Sequence, residues 1–144
     1  MKEKTLIKKF EKAFNKNYQN NFIQIGVGNQ SKQADVELEY MNEYIKLEAK
    51  VFNDTRNNSG HFWIMIGQTL SNRGLKTVNN KKNLPIKYGF LFNEQNIPKI
   101  KSFIKKCNYN DLVVYGQDFD VKYVFIYDNI TSTFRIENWE NFIK

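Results

Sequence analysis

The 144-residue chain has one cysteine, one histidine and no apolar run near the roughly 20 residues that a membrane helix needs. Each scarcity excludes something. Cys107 alone builds neither a disulfide framework nor a cysteine-based zinc site. His61 alone rules out a histidine-rich metal centre. The first residues, Met-Lys-Glu-Lys, run straight into amphipathic sequence with no apolar signal segment. The expectation is a cytoplasmic protein with no membrane partner and an inert thiol. No low-complexity tract, repeat or linker divides it, and its length suits one domain over residues 1–144.

What is present is aromatic and basic. Twelve Phe and eight Tyr against two Trp and three Met predict a core rich in rings. The 22 Lys and Arg against 15 Asp and Glu leave a net charge of +7. That suggests a polyanionic partner, most commonly nucleic acid. A biased genome producing an Asn- and Lys-rich chain would give the same excess, so charge alone decides nothing.

Patterning supplies the elements. Leu6, Ile7, Phe10, Ala13 and Phe14 recur at helical spacing within residues 3–17. Phe22 to Ile25 reads as a strand and Gly26 to Asn29 as a turn. From Ala34 to Tyr40, Val36, Leu38 and Tyr40 alternate with Asp35, Glu37 and Glu39. A short connection at residues 41–43 leads into a strand, Tyr44 to Phe52. Its Ile45, Leu47, Ala49 and Val51 share one face, and Lys46, Glu48 and Lys50 the other. A polar loop then precedes an apolar helix over residues 61–70, with Ser59 as its cap. Residues 73–82 read as a basic loop, 88–92 as a strand, and 97–107 as a helix opened by Pro98. Residues 112–115 and 121–127 read as strands, and 139–143 as a short helix. The sum is a single α/β sandwich with a mixed sheet.

Chemistry gathers on the central hairpin. If residues 41–43 close it, Asp35 lies opposite about residue 49, next to Glu48. Two carboxylates then project from one face, Lys50 follows Glu48 on that face, and the carbonyl of Ala49 lies between them. Hydrolysis of a phosphodiester requires an activated water and a clamp for the charge that builds on phosphorus. Carboxylates holding Mg²⁺, with an adjacent lysine, supply both.

Lys32-Gln33-Ala34-Asp35 followed by Ile45-Lys46-Leu47-Glu48-Ala49-Lys50 resembles the PD-(D/E)xK nuclease superfamily, which includes restriction endonucleases and Holliday-junction resolvases. The resemblance runs from the first helix to about Phe92. It implies a restriction-endonuclease-like αβββαβ core over about residues 3–92, its mixed central sheet flanked by helices, and an α/β extension over about 93–144. It also implies that Asp35 and Glu48 bind Mg²⁺ (or Mn²⁺) and that Lys50 is the catalytic lysine. A carboxylate from the first helix should join them. Glu11 has the family-like spacing to the Phe22 strand, whereas Glu3 sits more nearly in line with the apolar stripe. Gln68 matches a glutamine that the family often carries on the next helix. Ala34 departs from the motif, standing where its proline would be.

Lys32, Arg73, Lys76, Lys81 and Lys82 flank this site in sequence and are candidate phosphate contacts. The blander expectations are a solvated face for Glu37 and Glu39, core positions for Phe62 and Trp63, a structural role for His61, and a plain loop at Asp118-Phe119-Asp120. The resulting expectation is a Mg²⁺-dependent deoxyribonuclease, restriction-type or junction-resolving. Cutting both strands with one site per subunit would call for a homodimer. The alternative is a catalytically inactive nuclease-fold protein that binds nucleic acid or serves as an interaction or inhibitor protein.

Overall fold

The alternating residues 36–50 form a hairpin in a six-stranded mixed sheet. The computed structural model describes residues 1–18, 22–25, 34–53, 58–74, 77 and 79–144, the side chains of 22–25 and 58–59 excepted. Its elements run α1 (Glu3–Asn17), β1 (Phe22–Ile25), β2 (Val36–Tyr40), β3 (Glu43–Lys50), α2 (Asn58–Gly74) and β4 (Ile86–Asn93). A 3-10 turn (Glu94–Asn96) leads to α3 (Ile97–Ile104), α4 (Tyr109–Asp118), β5 (Val121–Asp128), β6 (Thr133–Asn138) and α5 (Trp139–Phe142). The strands lie in chain order across the sheet. β3, β4 and β5 are parallel, because helices cross between them, and the other neighbours are antiparallel.

The two faces are buried differently. On one, α1 lays Leu6, Phe10 and Phe14 over Val36, Leu38, Leu47 and Phe125. Phe10 meets Phe125 edge-on at 5.6 Å between centroids, a favourable ring geometry. On the other, α2 to α5 bury Phe62, Met65, Ile100, Leu112, Trp139 and Phe142 against Phe90, Phe92, Val124 and Ile126. Gly89 serves the sheet itself, since a Cβ there would lie 2.1 Å from the Tyr123 carbonyl oxygen.

Several sequence expectations are corrected. Residues 112–115 belong to helix α4, not a strand: the Asn108 side chain accepts from the Asp111 N–H at 3.1 Å and starts a helical turn. β6 has no counterpart in the sequence reading. Helix α2 begins at Asn58, one residue before the expected cap, and extends to Gly74, so Arg73 stands in its last turn. Trp63, read as core, is 56% exposed, while Phe62 is buried. The expected turn at residues 26–29 lies outside the described residues. Among the described residues, no helix is long and apolar enough to cross a membrane.

Candidate active site

The site starts with a tight turn. Met41 and Asn42 both take left-handed backbone angles (φ 53° and 59°), the pairing that lets a two-residue hairpin follow the natural strand twist. Tyr40 then pairs with Glu43 and Val36 with Leu47, which places Asp35 opposite Glu48, one residue from the position counted in the sequence. Asp35 sits just before β2, and its Oδ2 accepts from the Ala49 N–H at 3.0 Å. Ala49 thus enters the site through its amide.

Glu48 is only 6% exposed. Burial raises its pKa to about 8, reinforced by the charge of the neighbouring Asp35 carboxylate and a hydrogen bond with it. Two groups oppose the shift: Asn72 Nδ2, which donates to Glu48 Oε2 at 3.3 Å, and the Lys50 charge. A buried carboxyl group and a half-buried one are therefore pressed together, an arrangement that a cation would stabilise.

Helix α2 roofs this pair. Asn72 is buried and lies one turn beyond Gln68, so both point toward the sheet. Among the described residues, Gln68 Oε1 is buried with no hydrogen-bond partner. A buried acceptor without a donor is costly, and a metal-bound water would satisfy it. Among the described residues no cluster of three or more His, Cys, Asp or Glu could hold a metal. The donor set is therefore Asp35 and Glu48, two hard-oxygen ligands. This fits Mg²⁺, which commonly binds through one or two carboxylates and keeps waters.

Lys50 ends β3, and its Nζ lies 3.4 Å from Glu3 Oε2. Of the two helix carboxylates left open by the sequence, Glu3 is the one at the site. Glu11 lies eight residues further along α1, about 12 Å by helical rise. Beside the ion pair is a cavity of about 340 Å³, lined by Lys2, Glu3, Lys50, Asn53 and His61 among others.

The face of β2 expected to be solvated is covered. Glu37 and Lys46 are cross-strand partners, 3% and 1% exposed, and the Tyr44 hydroxyl donates to Glu37 Oε1. Burial lowers the Lys46 pKa, while Glu37 opposes that shift. The polar row thus continues beneath the helical layer.

Three of the five basic candidates lie among the described residues. Lys32 and Lys76 fall outside the described residues. Arg73 Nη1 pairs with Asp120 Oδ2 at 3.3 Å, and its guanidinium lies 5.8 Å from the Tyr88 ring centroid. Lys82 Nζ is 3.2 Å from Glu39 Oε1, four residues along the chain from Asp35, and Lys81 is exposed beside it. Asp120, read as loop, also holds Lys87 at 3.3 Å. Sequence reasoning missed Asn72; its signal was an i+4 spacing from Gln68 in an apolar helix, where an interior asparagine is disfavoured without a partner.

No protein-family model and no curated protein matches the chain. Two solved structures share its fold. A fdxN element excision controlling factor protein from Anabaena variabilis is 16% identical, with a TM-score of 0.58 over 94% of this chain and 98% of that one. An XisH family protein from Nostoc punctiforme PCC 73102 is also 16% identical, with a TM-score of 0.53 over 94% of this chain and 97% of that one.

Proposed function

We propose that the chain is a metal-dependent deoxyribonuclease with a restriction-endonuclease-like core, hydrolysing DNA phosphodiester bonds at Asp35, Glu48 and Lys50. The observation that carries this reading is the hydrogen-bonded Asp35–Glu48 pair, half-buried Asp35 beside buried Glu48, where burial and the neighbouring carboxylate raise the Glu48 pKa to about 8. When bound there, Mg²⁺ or Mn²⁺ supplies Lewis-acid stabilisation of the phosphate and a more acidic water. The residues of the chain do the rest. Asp35 and Glu48 hold the cation, with the Ala49 carbonyl as a further oxygen donor and Asn72 orienting Glu48. Lys50, 14% exposed at its side chain, brings its ammonium to the charge that builds on the phosphate oxygens. The Gln68 carbonyl oxygen accepts from a water in the site.

The excess of 22 basic over 15 acidic residues suits a DNA partner, with exposed Arg73, Lys81 and Lys82 as sequence-independent phosphate contacts. One site per chain cuts one strand, so duplex cleavage calls for two copies. The reading places this activity in the cytoplasm.

The test is incubation with supercoiled, linear, single-stranded and four-way-junction DNA, with Mg²⁺ or EDTA, alongside Lys50→Ala. Nicking that requires Mg²⁺ and falls about 100-fold or more in the variant is expected. A second reading, a nuclease-fold protein that binds nucleic acid without cutting, is favoured by one observation: the Anabaena neighbour is named a controlling factor of excision. Salt-dependent DNA binding by wild type and variant alike, with every substrate intact, would establish it instead.

A further inference from the structure

Helix α2 is apolar on both sides. Its inner side buries Phe62 and Met65 in the core and carries Asn72 to Glu48. Its outer side leaves Trp63 56%, Ile64 54% and Leu70 46% exposed, with Gly67 and Ser71 exposed among them. A helix apolar all round is ordinarily covered all round. Single exposed apolar residues are common, but a contiguous apolar strip marks a contact surface. α1 shows the contrast, since its outer positions are Lys4, Lys8, Lys12 and Lys16.

Charge narrows what covers the strip. Residues 57–72 contain no Lys, Arg, Asp or Glu, in a chain where 26% of residues are charged. A phosphate or an acidic peptide would meet no cation there. Two copies of a chain at +7 repel one another, and an uncharged face brings the fewest like charges together.

The strip is also complementary to itself. Trp63 and Ile64 stand four and three residues before Gly67, and Leu70 and Ser71 stand three and four after it. Helical geometry puts all five on one face. When two such helices meet antiparallel about a two-fold axis at Gly67, the bulky half of each lies on the slimmer half of the other. A Cβ at Gly67 would have nothing within 4 Å, so packing within one chain does not require glycine there. Between two copies it lets the backbones approach closely. The 17 residues of α2 give a strip about 25 Å long and 10–12 Å wide. Helix α4, tied to α2 by the contact of the Tyr115 and Thr69 hydroxyls, adds exposed Val114 beside it. Together they offer on the order of 500 Å² per copy, about 1,000 Å² in a pair, the size of a specific but reversible interface.

We propose that the outer face of α2 is a homodimer interface, two copies of this chain packing antiparallel through Trp63, Ile64, Gly67 and Leu70. The interface stands without the nuclease reading; where that reading holds, it supplies the second copy that duplex cleavage calls for.

Two measurements test the proposal. In sedimentation velocity at about 1–200 µM, the range of a small reversible interface, wild type should pass from monomer to dimer. Ile64→Lys and Gly67→Leu should each weaken the dimer about 10-fold or more, whereas Ile130→Lys, at an exposed apolar position on the β5–β6 turn, should not. If Ile64→Lys does not fold, Gly67→Leu carries the test, because its side chain enters open space in the monomer. The second measurement reads the register. With Cys107→Ser, Gly67→Cys should link two chains on mild oxidation, since both copies hold residue 67 at the axis, within the roughly 4.4–6.8 Å between Cα atoms that a disulfide spans. Ser71→Cys should not, since its two copies stand about 12 Å apart by helical rise. A wild-type monomer at every concentration, a dimer that neither α2 variant weakens, or linkage through residue 71 in preference to 67 overturns the proposal. A monomer that sediments with phosphatidylcholine vesicles overturns it too, and assigns the face to a lipid surface. Every result is read without DNA: a monomer that cuts leaves the nuclease reading standing, and a dimer that cuts nothing leaves the interface standing.

Discussion

The carboxyl groups of Asp35 and Glu48 meet across the β2–β3 ladder, and the presence of the first helps drive the second up to about 8. Both are anchored, Asp35 by the Ala49 N–H and Glu48 by Asn72. Neither can retreat from the other without giving up a hydrogen bond. The pair thus spends folding stability on proximity.

That cost has a definite pH dependence. Folded Glu48 keeps its proton up to about pH 8, whereas the unfolded chain releases it near the ordinary 4.5. Between those values the folded state binds more protons, so stability should fall as pH rises from 4.5 toward 8 and then level off. Glu48→Gln should remove this slope and raise stability at pH 8 by on the order of 1–3 kcal/mol in metal-free buffer. Urea melts in EDTA at pH 5, 6.5 and 8 measure it; a wild-type slope unchanged in the variant contradicts the expectation.

Asn72→Leu should act in the opposite sense. It removes the donor to Glu48 Oε2 with little change in volume. The expected loss is about 1–3 kcal/mol at about pH 9.5, above the raised Glu48 pKa, and clearly less at pH 5. Equal losses at both pH values would mean that Asn72 acts through packing alone.

Glu3 and Glu11 give a paired comparison along α1. Glu3→Gln releases Lys50 from its partner and should change the plasmid-nicking rate several-fold, whereas Glu11→Gln should leave it within about twofold. Neither substitution should move the melting temperature by more than a degree or two, since the ion pair is partly exposed. The reverse ranking in the nicking assay would return the site's helix carboxylate to Glu11.

Gly89→Ala probes the sheet beneath the site. Its new methyl would collide with the Tyr123 backbone oxygen, where β4 and β5 shift register. A loss of about 2–4 kcal/mol is expected in a urea melt, because backbone cannot step aside as a flexible side chain does. A loss under about 0.5 kcal/mol would show that the two strands separate easily there.

The local parts of this architecture were legible in the sequence, and the non-local parts were not. Val36, Leu38, Ile45 and Leu47 announced their strands by alternation, and counting across residues 41–43 placed Asp35 within one residue of its observed partner. The run Leu112 to Tyr115 misled because a four-residue apolar stretch fits a strand or a buried helical turn equally well, and the cap at Asn108 was passed over. β6 escaped because its Phe134 and Ile136 are spaced by Arg135 and Glu137 at the half-buried edge of the sheet, a weak pattern in a polar stretch. Glu37 looked solvated because nothing in its own strand reveals that its side chain is covered. Asn72 and the choice between Glu3 and Glu11 depended on how α2 and α1 dock, which local periodicity does not encode.

The Lys50–Glu3 contact joins elements from opposite sides of the sheet: Lys50 belongs to the strand bearing Glu48, and Glu3 to the helix on the other face. It works like a latch closed around the end of β3. A polyanion that draws Lys50 toward itself must open that latch and loosen the first turn of α1. Occupancy on one face would then be registered on the other as faster amide exchange near residues 3–6, a signal of binding that precedes any cut.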